Sequence, residues 1–188
     1  MTDKTPNTVV LVFHPQLESG SRINRVLANA AANAGAVVRD IYQLYPDFQI
    51  DVLAEQKILA AADRIVFQFP TYWYSAPALL RQWEDEVLEY GWAYGSNGTA
   101  LHGKDLLVVT SWGAPSESYT ETGRTHFTTN ELLRPHQATA TMVGMRYLEP
   151  LTITGAMGLS DANLADFAAS YQEKLRAPEL PAFAVRGQ

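Results

Sequence analysis

Cysteine is absent from the 188 residues, which excludes disulfides, thiolate zinc sites and cysteine nucleophiles. Any redox work then falls to a bound cofactor. Basic residues are in deficit, with 14 Lys and Arg against 20 Asp and Glu, and the net charge of −6 opposes general attraction to nucleic acid or anionic lipid. No apolar run approaches the roughly 20 residues that span a bilayer, and no charged-then-apolar leader opens the chain. The expectation is a cytoplasmic protein. Motifs are missing too: no Gly-x-Gly-x-x-Gly follows the first apolar run and no Gly-x-Ser-x-Gly elbow exists. His14, His102, His126 and His136 show no metal-ligand pairing. Dinucleotide, serine-hydrolase and metal-hydrolase frames thus lose their usual signatures.

What is present is apolar and alternating. The 47% hydrophobic content is enough for one sizeable core at this length. Residues 64–69, Arg-Ile-Val-Phe-Gln-Phe, are β-branched and aromatic with hardly a polar break, as in a parallel strand buried on both faces. Pro70 should end that strand, and Ser75 should cap a helix with Pro77 in its first turn, carrying Leu79, Leu80, Trp83, Val87 and Leu88 to about Tyr90. Similar strands are expected over 8–13, 36–41, 105–110 and 145–154. Helices are expected from Ser21 to Gly35, from Asp51 to Ala62, from Thr128 to Gly144 with a break at Pro135, and from Ser160 to about Arg176. Five strands alternating with helices predict an α/β fold, a doubly wound parallel sheet of order 2-1-3-4-5 with helices on both faces. One domain accounts for residues 1–188, with residues 1–7 and 178–188 as loosely ordered tails.

In that order the exit loops of strands 1, 3 and 4 converge at the carboxyl edge, where open α/β sheets bind ligands. The first loop offers His14, Ser21, Arg22, Ile23 and Asn24 at a helix start, where unpaired N–H groups accept phosphate. Ser21 also makes sense as a plain N-cap, and His14 as a strand-end residue. The second offers Thr71, Tyr72, Trp73 and Tyr74. Alternate side chains of an extended segment point to opposite sides, so these three aromatics cannot all enter one core, and a flat ligand would give the remainder a partner. The third offers Thr110, Ser111, Trp112 and Gly113, with Tyr119 just beyond. Phosphate donors on one loop, flat contacts on a second and N–H donors on a third match a flavin mononucleotide. Preorganised donors near its N1/O2 end would ease hydride acceptance.

These residues resemble a known family, the flavodoxin-like NAD(P)H:quinone oxidoreductases, and within it the ancillary quinone-reductase subunits of glutathione-regulated potassium-efflux systems. The resemblance rests on Phe69-Pro70-Thr71-Tyr72-Trp73-Tyr74-Ser75-Ala76-Pro77-Ala78-Leu79-Leu80, on Gly91-Trp92-Ala93-Tyr94-Gly95 with Ala100-Leu101-His102-Gly103-Lys104, and on Gly144-Met145-Arg146-Tyr147-Leu148-Glu149-Pro150. It implies FMN as cofactor and NADH or NADPH as co-substrate, with a quinone as acceptor. The aromatic excess in residues 72–74 and 92–94 exceeds what one small core needs, which predicts a homodimer with active sites at the interface. The resemblance also raises a potassium-efflux transporter as partner, which would place the protein at the inner face of the membrane, and a regulatory role there as the alternative function. His14 and residues 21–24 would hold the phosphate and ribityl chain. The ring would lie against residues 71–74 and 110–113. Trp112 stands where the family pattern has glycine, which would let it cover the ring or narrow the acceptor space. Tyr119 and Gly123 match that pattern. The family's catalytic histidine falls on Thr125, with His126 one place later.

Overall fold

The computed structural model describes residues 5–184. Residues 1–4 and 185–188 of the expected tails lie outside the described residues. The apolar runs form β1 (Thr8–Val12), β3 (Arg64–Pro70) and β4 (Asp105–Ser111), all buried, with β2 (Val37–Asp40) half-exposed at one edge. With β5 (Arg146–Tyr147) they pair in parallel in the order β2-β1-β3-β4-β5. The chain has a flavodoxin-like α/β fold.

Side-chain alternation divides the core. Val9, Leu11, Ile65, Phe67, Leu106 and Val108 meet the helices α4 (Val52–Ala61), α5 (Ala78–Val87) and α7 (Arg134–Met142). Val10, Val12, Val66, Leu107 and Val109 meet α2 (Arg22–Asn33) and α8 (Asp161–Arg176) on the other face. Period-two strands sandwiched by helices therefore bury both faces at once. Short helices α1 (Leu17–Gly20), α3 (Ile41–Leu44) and α6 (Thr129–Leu132) fill the connections. The starts of α2, α4, α6 and α8 are held by Ser21, Asp51, Thr128 and Ser160, each accepting an N–H from the first turn. No helix among the described residues is long and apolar enough to cross a membrane.

Three expectations are corrected. Ser75 does not cap α5, because its N–H and C=O exchange hydrogen bonds of 3.0 and 2.9 Å with Tyr72 in a tight turn. Pro77 takes the capping position with no side-chain bond, and the helix stops at Val87. The expected fifth strand is two, β5 (Arg146–Tyr147) and β6 (Leu151–Ile153), so the sheet has six strands. Leu106 faces Tyr147 while Val109 faces Leu151. The register thus slips by one residue between the pieces, as at a bulge, around Pro150, which has no N–H for a ladder. Finally, the segment after Pro178 is not loose where it is described. Leu180 is buried, the Phe183 N–H donates to the Tyr147 carbonyl at 2.9 Å, and the two rings stand edge to face at 5.8 Å.

Candidate functional site

The exits of β1, β3 and β4 are stitched by a polar seam. The Gln68 amide donates to the Asn24 carbonyl at 2.8 Å, and the Asn24 amide donates to Ser111 Oγ at 3.2 Å. Thr71 and Thr110 share a hydroxyl bond of 2.8 Å, and the Thr71 N–H donates to the Ser111 carbonyl at 2.9 Å. Asn24, Gln68, Thr110 and Ser111 are all buried. Such a network costs stability unless every group is paired, yet Asn24 Oδ1 and Gln68 Oε1 have no partner among the described residues.

Around the seam stand free donors. Ser21 Oγ accepts the Asn24 N–H at 3.1 Å, leaving the N–H groups of Arg22 and Ile23 as the open start of a twelve-residue helix, where an anion is favoured. Beside them, His14 Nδ1 accepts the Gln16 N–H at 3.0 Å, so Nε2 carries the ring proton. Burial holds the His14 pKa below the ordinary imidazole value, against the opposing pull of Asp40. The Arg22 guanidinium turns elsewhere, donating to Asp161 at 2.7 Å and to the Leu159 carbonyl.

The β3 exit carries strain. Trp73 and Tyr74, with φ of 48° and 63°, are the two central residues of the Tyr72–Ser75 turn. That conformation ordinarily selects Asn-Gly. Trp73 is 92% exposed and Tyr72 and Tyr74 about half so, and neither the Trp73 nor the Tyr74 N–H meets an acceptor among the described residues. Non-glycine residues held there cost of order 1–3 kcal/mol each and cluster at functional sites. Replacing Trp73 by Asn and Tyr74 by Gly together is expected to stabilise the ligand-free protein by about 1 kcal/mol in urea titration. A loss of stability would show that the rings, not the turn, matter to the fold.

On the third loop the Trp112 N–H goes to the Ile153 carbonyl at 2.8 Å and the Ala114 N–H to the Tyr119 hydroxyl at 3.3 Å. The Gly113 N–H is left over among the described residues, and a Cβ at Gly113 would meet nothing within 4 Å. Trp112 is 1% exposed and packs on Tyr119 with ring centroids 5.0 Å apart. It fills the core beneath the loop and does not cover the surface above it, because the indole is too large and apolar to be left in water when a slot beside Tyr119 is open. Beyond it, a Cβ at Gly123 would sit 2.3 Å from the Glu117 carbonyl, so the return of this loop needs glycine. Thr125 Oγ1 lies 2.7 and 2.8 Å from the Ser118 and Phe127 carbonyls, with its single O–H donating to one of them. It staples the loop. His126 is exposed, at a φ of 60°, with Nδ1 3.3 Å from the Glu121 carbonyl.

A cavity of about 220 Å³ opens beside Thr71, Tyr74 and Trp112 and is completed by Arg81, Leu133 and His136. Sequence reasoning missed those last three. Helical spacing marks them only as helix residues, and the neighbour of α5 is not legible in a linear pattern.

Known proteins share this fold. A family model described as flavodoxin-like fold matches residues 6–175. The chain belongs to that family. Among its relatives is an NAD(P)H oxidoreductase of Bacillus subtilis, YrkL, whose role is uncharacterised; it is 47% identical over 171 residues, covering 90% of this chain and 98% of the relative. General stress protein 14 of Treponema denticola, solved in complex with FMN, is similar at 36% identity and a TM-score of 0.83, over 90% of this chain and 98% of that one. An NADPH-quinone reductase from P. pentosaceus is similar at 32% identity and a TM-score of 0.80, over 90% and 97%.

Proposed function

We propose that this flavodoxin-like protein is an FMN-dependent NAD(P)H:quinone oxidoreductase. The observation that carries the reading is the set of unpaired donors and acceptors gathered at one edge of the sheet. The start of α2 and His14 Nε2 offer donors to a phosphate, and buried Asn24 Oδ1 offers an acceptor to a ribityl hydroxyl. The free N–H groups of Trp73, Tyr74 and Gly113 suit the polar rim of a flat heterocycle. Among the described residues no comparable donor set stands ready for an adenosine half, so FMN fits better than FAD. Bound there, FMN would supply hydride transfer between the nicotinamide and the acceptor.

The chain's own residues orient and protonate. Tyr119 is only 9% exposed, and its hydroxyl accepts the Ala114 N–H, which leaves its own hydrogen uncommitted among the described residues. An acceptor oxygen gaining charge strengthens a bond from that hydrogen, which places the effect in the transition state. We expect Tyr119→Phe to keep its flavin and its rate of reduction by NAD(P)H while quinone reduction slows roughly 10-fold, less than the ~10²-fold typical of a dry site because water can enter. Stopped-flow measurement of each half-reaction separates them, and equal slowing of both would make Tyr119 a cofactor-positioning residue instead. The primary test is simpler. Purified protein should show flavin absorbance, release FMN on acid treatment, and oxidise NADH or NADPH with a quinone; FAD as the sole flavin, or none, would overturn the reading.

The same reading includes a homodimer joined near the site. Trp73 at 92%, Tyr74 at 49% and Phe127 at 53% exposure present aromatic surface of the kind that anchors interfaces. Sedimentation equilibrium should give twice the chain mass. A fully active monomer at all concentrations would remove this part alone.

A further inference from the structure

The cavity beside Thr71, Tyr74 and Trp112 holds a buried polar pair that the mechanism above leaves unused. His136, 4% exposed, stands at the start of α7, and Glu84, 5% exposed, faces it from α5 with Oε1 3.5 Å from Nδ1. That spacing lies beyond an ordinary hydrogen bond. Neither atom has another partner among the described residues, while the second carboxylate oxygen of Glu84 takes Arg81 at 2.5 Å. The imidazole is held on its other sides by Phe67 and Phe69, with ring centroids 6.2 and 5.3 Å away.

A purely structural link between α5 and α7 would be served as well by two apolar side chains, since a buried pair of this kind rarely repays its desolvation. What sets this pair apart is its place. With Nδ1 turned to Glu84, Nε2 is the nitrogen left for the cavity that His136 lines, and the other walls are mainly apolar: Phe69, Tyr74, Leu133 and Pro135. At about 220 Å³ the space falls below the roughly 300–1,000 Å³ of a site for drug-sized ligands. It suits a one- or two-ring molecule with an oxygen at its inner end.

We propose that this cavity is the acceptor subsite for a small quinone, and that His136, oriented by Glu84, hydrogen-bonds the inner quinone oxygen and delivers its second proton. The inference rests on the oxidoreductase reading. In the balance, the quinone gains two electrons and one proton as hydride, one oxygen takes a further proton from His136, and the nicotinamide is the species oxidised. The imidazole then recovers its proton from solvent at the Arg81 rim, which is half-exposed.

The test uses 1,4-naphthoquinone and the whole chain, whose lack of cysteine removes thiol addition as a complication. Titrated into protein labelled with ¹⁵N in histidine, without NAD(P)H, it should shift the His136 ring nitrogens and leave those of His102 in place. In His136→Phe, flavin content and reduction by NAD(P)H should match the parent, while reoxidation by naphthoquinone slows roughly 10²-fold, the lower end for a lost general acid. Glu84→Gln should lie between the two. Unmoved His136 signals, or parental reoxidation in His136→Phe, would overturn the proposal while FMN content and turnover leave the oxidoreductase reading standing. If His136→Phe fails to fold, the titration of the parent protein decides alone. A parent without flavin would retire the enzyme reading, and the titration would still decide on the cavity.

Discussion

Glu55→Ala is expected to lower the unfolding free energy by about 3–5 kcal/mol, the usual cost of breaking a buried charge pair from one side. Glu55 is fully buried in α4 and holds three other elements at once. It pairs with Arg39 of β2, accepts the Tyr45 hydroxyl at 2.7 Å after α3, and accepts the Trp83 indole N–H of α5 at 3.2 Å. Burial and the neighbouring carboxylate push the Tyr45 phenol up to about 12, so it remains a neutral donor through the physiological range. Alanine strands all three donors. At about 2–4 °C per kcal/mol for a chain of this size, the midpoint should fall by roughly 6–20 °C in calorimetry. The double variant Arg39→Met with Glu55→Leu should recover only part of the loss, because an apolar pair avoids the stranded Arg39 charge but leaves the Tyr45 hydroxyl and the Trp83 N–H without their acceptor. If the double variant were as unstable as Glu55→Ala, the network would be needed for itself and not merely for mutual satisfaction.

Arg64→Met should cost a similar amount, about 3–5 kcal/mol, by a different route. Arg64 opens β3 with no exposed surface, yet its guanidinium reaches the end of α8 and donates to the carbonyls of Lys174, Leu175 and Ala177 at 3.0, 3.4 and 3.1 Å. The last carbonyls of a helix have no partners of their own, and here an arginine from the sheet supplies them. Its Nε also pairs with Asp105 Oδ2 at 3.3 Å. Methionine fills the volume but leaves those acceptors buried without donors. Asp105 keeps Arg146 at 2.8 Å, so the damage should centre on α8. Hydrogen exchange should show the amides of its final turn losing protection first, and the urea midpoint should fall. Unchanged exchange at α8 would mean that water replaces the guanidinium there.

The sheet and most of its helices were legible because burial on both faces leaves an unbroken apolar run, and β1, β3 and β4 show it plainly. The loops were legible as a set, since strand order alone brings residues 14–24, 71–74 and 110–119 to one edge. Side-chain direction was not. Trp112 is a core residue and Arg22 is spent on Asp161, and both outcomes depend on neighbours distant in sequence. The same holds for Ser75, whose capping chemistry was pre-empted by its backbone turn with Tyr72, and for His136, which only the packing of α7 on α5 brings to the cavity.

The broken β5–β6 edge bears on how two copies can meet. An edge strand joins another sheet by lining up a continuous row of free backbone groups, and here that row is interrupted after two residues by a register slip and Pro150. The opposite edge, β2, offers four residues, among them the charged Arg39 and Asp40. Neither side provides a template on which a second sheet could continue in register. Growth of the sheet into open-ended stacks finds no template at either margin.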